Sequence, residues 1–443
     1  MRYFKKGPVL KLRAIAGLHV VMLAWDFSRK LSVAGVSLPT RLKNLLGFAI
    51  EREECDRQGA VMERYMLRGI KRFQHKDEGL APGTLVPLDE HPVQSFQWAD
   101  YTAKPGMTYT YRVTPIYGTP KNLVPDDAAG VKVSVTTEAE SGSTSGGSAV
   151  RHDIYFNRGV IGSQAYARRF QNEEPDPDQP TSAPMRWLSR GLYEALIAFI
   201  GRACSERYAL RAAFYEFHYL PAARALRRAV EAGADVKIVY DAESSAKEEN
   251  VRTLRGAELL QSDIAIPRTV TEGIRHNKFI VLLKDTIPIA VWTGSTNITA
   301  GGIFGHSNVG HIVWDPGIAT AYLGYWTRLA QNLTPTKLRA PNRQATPTPT
   351  GKPLQNSVVP LFSARDEKDS IATLQWYADR MAEAQRLVCF TVAFGLDEVF
   401  QEVISAENDV LRYIINSDFR AAPHEAQPRP LSYRCSGKPY SFN

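Results

Sequence analysis

The sequence predicts an α/β fold, a sandwich of helices on a mixed sheet, preceded by an all-β sandwich domain. Three observations carry this. Residues 107–117 alternate strictly, with Tyr109, Tyr111 and Val113 on one face and Thr110, Arg112 and Thr114 on the other. That two-residue period marks a half-buried strand. Past a Gly/Ser-rich stretch the texture changes to strand-like runs alternating with helical patterns, which stack in layers when folded. Finally, 443 residues exceed what one compact core holds.

Residues 1–137 read as mostly β. Runs 17–27 and 47–51 are short and apolar, and Val131, Val133 and Val135 repeat the alternation. Several short strands with turn signals between them argue a sandwich. Residues 138–150 form a Gly/Ser linker, too polar to bury a core. Next comes the strand 152–157, with Ile154 and Phe156 on one side. A Pro-rich loop at 173–184 leads into a helix predicted over 185–204, and 208–217 is strand-like. A helix at 221–232 stops at Gly233. Strand 236–240, a helix over 242–260, and strands 279–283 and 289–292 follow, the last two joined as a hairpin at 284–288 and closing a unit over 151–333. Residues 334–358 are rich in Thr and Pro and read as a second linker. Helix 369–384, strand 387–392, helix 396–404 and strand 410–416 then resemble the opening of the unit that began at 151, as an incomplete second half over 359–420. Residues 421–443 read as an irregular tail.

With 44% hydrophobic and 23% charged residues, the composition is that of an ordinary globular chain. Cys55, Cys204, Cys389 and Cys435 have no metal-ligand spacing, which fits a reducing cytoplasm or buried thiols better than a disulfide framework. No signal peptide and no transmembrane segment are expected. The net charge of +8 suits anionic partners, nucleic acid or a phospholipid surface, as well as plain solubility.

The chemistry concentrates in residues 273–313. His276 and Lys278 stand two apart at the start of a strand and project to one face. The next strand ends in Gly294-Ser295-Thr296-Asn297, where Ser295 and Asn297 share a face and Gly294 is expected to let a ligand approach the backbone. A hairpin brings the four side chains to one end of the sheet. Imidazole is a competent nucleophile at neutral pH, and a lysine with hydrogen-bonding neighbours can hold non-bridging phosphate oxygens. No carboxylate cluster accompanies them, so neither metal nor cofactor is expected.

His276, Lys278 and the 294–297 turn resemble the HxK…GSxN signature of the phospholipase D superfamily, over roughly residues 151–416. Asn308 sits near another polar position of that family. The resemblance implies a phospholipase D-like α/β sandwich in which His276 is the nucleophile and Lys278 and Asn297 bind phosphate, with Ser295 supporting the ligand or the histidine. The family's Asp five residues after the lysine is Leu283 here; Asp285 falls in the hairpin turn. The second HxK copy, source of the general acid, does not appear. The order of the first strands, and the run from Gly106 to Pro115, resembles a fibronectin type III module that binds or spaces.

The expected function is therefore a phosphodiester hydrolase with phospholipid as the leading substrate, through lipid degradation at a membrane surface. An endonuclease acting on DNA or RNA is the first alternative. A truncated, weak or inactive phosphate-binding member is the second. A homodimer would supply the missing acid from a neighbour. His306 and His311 are candidates for a substitute acid, His218 is expected to be a hydrogen-bonded structural histidine, and Glu216 and Asp241 are expected to be solvated strand ends. Arg224, Arg227 and Arg228 read as a solvated helix face.

Overall fold

The computed structural model describes residues 2–28, 42–56, 58–144, 150–273, 275–354, 357–392, 396–406 and 410–416. The predicted tail at 421–443, Cys435 and the middle of the Gly/Ser segment, 145–149, lie outside the described residues. The chain divides into two compact units, residues 1–143 and 144–443.

The first unit is built from antiparallel sheets. Strands Arg2–Lys6, Leu10–Ala16, Val21–Phe27 and Gln97–Asp100 form one sheet. The other runs Asn122–Pro125, Thr108–Thr119, Leu45–Cys55, Val61–Met66, with Val131–Thr136 also on Thr108–Thr119. The alternation seen in sequence is borne out by burial: Tyr109, Tyr111 and Val113 are fully enclosed beside Leu12, Leu23, Trp25 and Phe48. Inside this core sits an ion pair. Arg52 meets Asp100 at 2.9 Å with both side chains almost fully buried, and Tyr111 donates its hydroxyl to the same carboxylate at 2.8 Å. Tyr65 and Tyr109 cover the guanidinium at 4.6 and 4.9 Å.

The second unit carries an eight-stranded mixed sheet. Strands Tyr208–Phe214, Asp235–Asp241 and Ala265–Arg268 run parallel. Lys278–Lys284, Ile287–Gly294, Val309–Trp314 and Arg151–Phe156 extend the sheet antiparallel. Alternation sends Ile280, Leu282 and Trp292 to one face, against helices Leu192–Ile200, Leu220–Glu231 and Lys247–Gly256. Phe279, Val281, Val291 and Val313 go to the other, against helix Pro316–Ala330. Asp285 and Thr286 both take positive φ, 50° and 68°, and close the central hairpin as a two-residue turn.

Two expectations need correcting. The single helix over 185–204 is two, Ala183–Ser189 and Leu192–Ile200, because Arg190 and Gly191 both adopt left-handed backbone. The Thr/Pro segment at 334–358 contains a helix, Pro335–Ala345. Thr334 caps it and Pro335 occupies its first turn, where a missing N–H costs nothing. Leu338 and Asn342 then bury against the unit. The cysteines also differ from a set of core thiols: Cys55 is buried, but Cys204 and Cys389 are exposed. Further on, strands Leu387–Val392 and Leu411–Asn416 pair in parallel around helix Glu398–Ser405. Among the described residues no helix is long and apolar enough to cross a membrane.

Removing half of a buried ion pair leaves the other charge uncompensated, at about 3–5 kcal/mol. Asp100→Ala is therefore expected to lower the calorimetric melting of the first unit; an unshifted transition would show that Arg52 is accommodated otherwise. Burial alone pushes the Asp100 carboxyl up, but the Thr102 hydroxyl and Arg52 hold it below its ordinary value. The stabilisation is thus present at neutral pH and lost as acid titrates the folded carboxylate.

Candidate active site

The end of strand Asp235–Asp241 anchors the site. Asn250, wholly buried on helix Lys247–Gly256, accepts the Phe217 N–H at 2.7 Å and donates to the carbonyls of Tyr215 (2.8 Å) and Asp241 (2.9 Å). This clamps the segment that follows strand Tyr208–Phe214. The Asp241 carboxylate accepts the Arg275 Nε–H at 2.9 Å and the backbone N–H groups of Glu243 and Ser244. Burial pushes Asp241 up, yet those donors together hold it below its usual range. Arg275 is the residue before His276, so the same strand end fixes both flanks. Asp241 is a buried structural anchor rather than a solvated strand end.

His276 stands exposed at the entrance, its ring packed edge-on to Tyr215 with centroids 5.0 Å apart. That partial loss of water, and then the Lys278 ammonium, lower its pKa, while Glu216 opposes the shift. The neutral form of the imidazole is thereby favoured. Lys278 is buried; its Nζ donates to the His276 carbonyl at 3.1 Å and lies 5.7 Å from the Tyr215 ring centre. Burial lowers its pKa to about 8, again against Glu216.

Glu216, expected to be a solvated strand end, is instead part of the cluster. Its carboxylate accepts a hydrogen bond from the Asn297 amide and acts electrostatically on both His276 and Lys278. Asn297 presents the other end of its amide, Oδ1, buried and without a partner among the described residues. Parallel bridging of Phe217 to Ile298 brings the two segments side by side.

Ser295 and Asn308 form a second group. Ser295 Oγ donates to Asn308 Oδ1 at 2.9 Å and accepts the Val309 N–H at 3.1 Å. Asn308 Nδ2 donates to the Gly302 carbonyl at 2.8 Å. Its own N–H bonds the buried Asn157, which also ties down the carbonyls of Ile303 and His306. Residues Gly301–Gly305 form one π-helical turn, a distortion frequent at functional sites. Asn308 thus holds Ser295 and the turn in place. Gly294 also has a different reason from the one expected: at φ +135°, an added Cβ would stand 2.2 Å from the Val309 carbonyl oxygen. The neighbouring strand, not a ligand, demands glycine there.

The histidines separate. His311 shares a strand face with Val313, on the side opposite Ile280 and Leu282, and its Nε2 lies 2.9 Å from His152 Nδ1. Burial and His152 lower its pKa to about 4, so at neutral pH the ring is neutral imidazole and not the imidazolium a general acid needs. His306 is exposed. His218 Nε2 is buried without a hydrogen-bond partner among the described residues, unlike the satisfied histidine expected. No group of three or more metal-binding side chains occurs among the described residues.

No protein-family model matches the chain, and no curated protein matches it. Solved structures are similar over parts of it. Nuc, a phospholipase D family member from Salmonella typhimurium, is 25% identical over 31% of this chain and 84% of its own, with a TM-score of 0.26. NucT from Helicobacter pylori is 15% identical, over 41% and 97%, at 0.29. Polyphosphate kinase from Porphyromonas gingivalis is 14% identical, over 55% and 41%, at 0.33.

Gly294→Ala should lower the melting temperature as well as activity, because the strand pair must separate to admit the methyl group. Loss of activity with unchanged melting would return Gly294 to a ligand-facing role.

Proposed function

We propose that the chain hydrolyses phosphodiesters through a covalent intermediate on His276. The observation that supports this most is a buried ammonium, Lys278, beside an exposed imidazole whose neutral form is favoured, with the Asn297 amide joined to both through Glu216. A ring nitrogen of His276 attacks phosphorus as the bond to the leaving oxygen breaks. Lys278 balances the charge on the non-bridging oxygens, and a free N–H of Asn297 holds one of them. Water then displaces the imidazole and releases the phosphomonoester. With His311 on the other face, the leaving oxygen takes its proton from solvent, at a cost of about 10²–10⁴-fold. A homodimer that set two His276 sites together would remove that cost, and specific activity would then rise with chain concentration.

Phospholipid is the first substrate class, in keeping with the net charge of +8, and DNA or RNA the second. The N-terminal β unit, as a fibronectin type III-like module, would bind or space. Choline release from phosphatidylcholine, run beside nicking of supercoiled plasmid, separates the substrates. His276→Ala is expected to reduce either activity by at least about 10³-fold, the scale for removal of a nucleophile. Residual activity equal to wild type would eliminate His276 as nucleophile, and wild-type inactivity on both would leave a phosphate-binding chain.

Catalysis needs His276 neutral and Lys278 charged. Activity should therefore rise through a pKa below the ordinary histidine value and fall again near pH 8. Because Glu216 raises both values, Glu216→Gln should move both limbs of the profile to lower pH. A profile that keeps both limbs in place would detach Glu216 from the site.

A further inference from the structure

The first unit carries its own concentration of charge. Strand Arg2–Lys6 lies at the edge of its sheet, paired on one side only, with strand Leu10–Ala16, and all of its residues are exposed. Arg2, Phe4 and Lys6 stand opposite Ile15, Arg13 and Lys11 on the outer face, because Leu10, Leu12 and Ala14 between them turn into the core. Tyr3 and Lys5 project to the other side of the same edge, opposite Ala14 and Leu12. The two strands thus carry five cations, Arg2, Lys5, Lys6, Lys11 and Arg13, and no carboxylate. The next strand, Val21–Phe27, contributes a single acid, Asp26, opposite Lys11. Among the described residues no carboxylate forms an ion pair with Arg2, Lys5, Lys6 or Lys11.

Cations on an edge strand can simply keep the open edge from pairing with another chain. Exposed aromatic rings work against that end, yet Tyr3 and Phe4 are 46% and 49% exposed in the midst of the cations. Arg13 approaches the Phe4 ring at 5.9 Å and still leaves half of the side chain in water. Rings flanked by lysine and arginine match the boundary between lipid headgroups and acyl chains, where rings settle and cations reach lipid phosphate. A nucleic-acid strand is matched less well. Such strands follow a charged groove and stack successive bases on neighbouring rings. Here the cations line an open edge, and Tyr3 and Phe4 point to opposite sides of it. A surface that meets the edge itself reaches both rings.

We propose that strand Arg2–Lys6, with Lys11 and Arg13 beside it, docks the first unit on an anionic phospholipid surface. Tyr3 and Phe4 enter the interface, and the cations meet the phosphate and carboxylate groups of the lipids. The docking does not depend on His276 being a nucleophile.

Co-sedimentation of the full chain with vesicles of phosphatidylcholine containing phosphatidylserine, and with phosphatidylcholine alone, tests this. The chain should pellet with the first and remain in solution with the second, and added salt should release it, since exposed charges are screened. Arg2→Glu/Lys5→Glu/Lys6→Glu should weaken binding by about 100-fold or more, from roughly fivefold for each cation lost. Phe4→Ala should weaken it by about tenfold and leave the salt dependence alone. Both variants should keep the wild-type melting of the first unit, because every altered side chain is exposed. Should the triple variant melt early, Lys5→Gln/Lys6→Gln replaces it, with an expected loss of about 20-fold. His276→Ala should bind the acidic vesicles as the wild type does. Absence of binding by the wild type, equal binding to the two kinds of vesicle, or full binding by a folded charge variant would overturn the assignment. So would loss of binding in His276→Ala, which would place the lipid in the second unit, and capture of a single-stranded oligonucleotide in preference to the acidic vesicles, which would give the strand to nucleic acid.

Discussion

Everything at the His276 end of the sheet hangs on the last residues of strand Asp235–Asp241. Asn250 takes up three backbone groups there, and the Asp241 carboxylate takes up Arg275 and two backbone amides. Buried polar groups left half-satisfied are costly, so a fully connected network of this kind has one low-energy arrangement. From it the chain emerges in two directions, toward Tyr215 and Glu216 and toward His276. The two meet again as the His276 ring packs on Tyr215 and Lys278 lies within the field of Glu216. The exposed His276 ring is therefore mobile only to the extent that a buried framework permits.

The fold class was legible in the sequence because both units obey simple periods. Tyr109, Tyr111 and Val113 alternate with polar residues and become the core of antiparallel sheets. The apolar strand at 279–283 and its partner at 289–292 read as a hairpin, and the two-residue turn at Asp285 and Thr286 closes it. His276 and Lys278 stand differently from the expected same-face pair: the strand begins only at Lys278, His276 precedes it and is exposed, and Lys278 is buried with its ammonium on the His276 carbonyl. Segments whose structure depends on distant partners were less readable. A Thr/Pro composition suggested a linker at 334–358, although the Thr-Pro step at 334–335 is itself a helix-start signal. The break at Arg190 and Gly191 lay hidden inside an apolar run long enough for one helix.

Within the site, proximity in sequence proved a poor guide and topology a better one. Glu216 lies 81 residues from Asn297 and bonds to it, while His311, 14 residues beyond, faces the opposite side of the sheet. Asn157, Asn250 and Asp241 had no motif to mark them; each matters because it is buried and its hydrogen bonds join segments far apart in the chain. A polar residue next to a strand end is the only local cue they offer, and many solvated strand ends share it. Gly294 was recognised for its type, but only the position of Val309 explains the requirement.

The π-helical turn at Gly301–Gly305 widens the backbone so that its carbonyls point inward, where two asparagine amides, from Asn157 and Asn308, collect them. Asn157 follows strand Arg151–Phe156 and Asn308 precedes its partner strand Val309–Trp314, so the turn is tied to both members of that pair. An insertion or deletion on this loop would break those bonds unless both strands shifted with it. Among natural variants, change in loop length should be found elsewhere, leaving this stretch as a fixed ruler along the ends of the two strands.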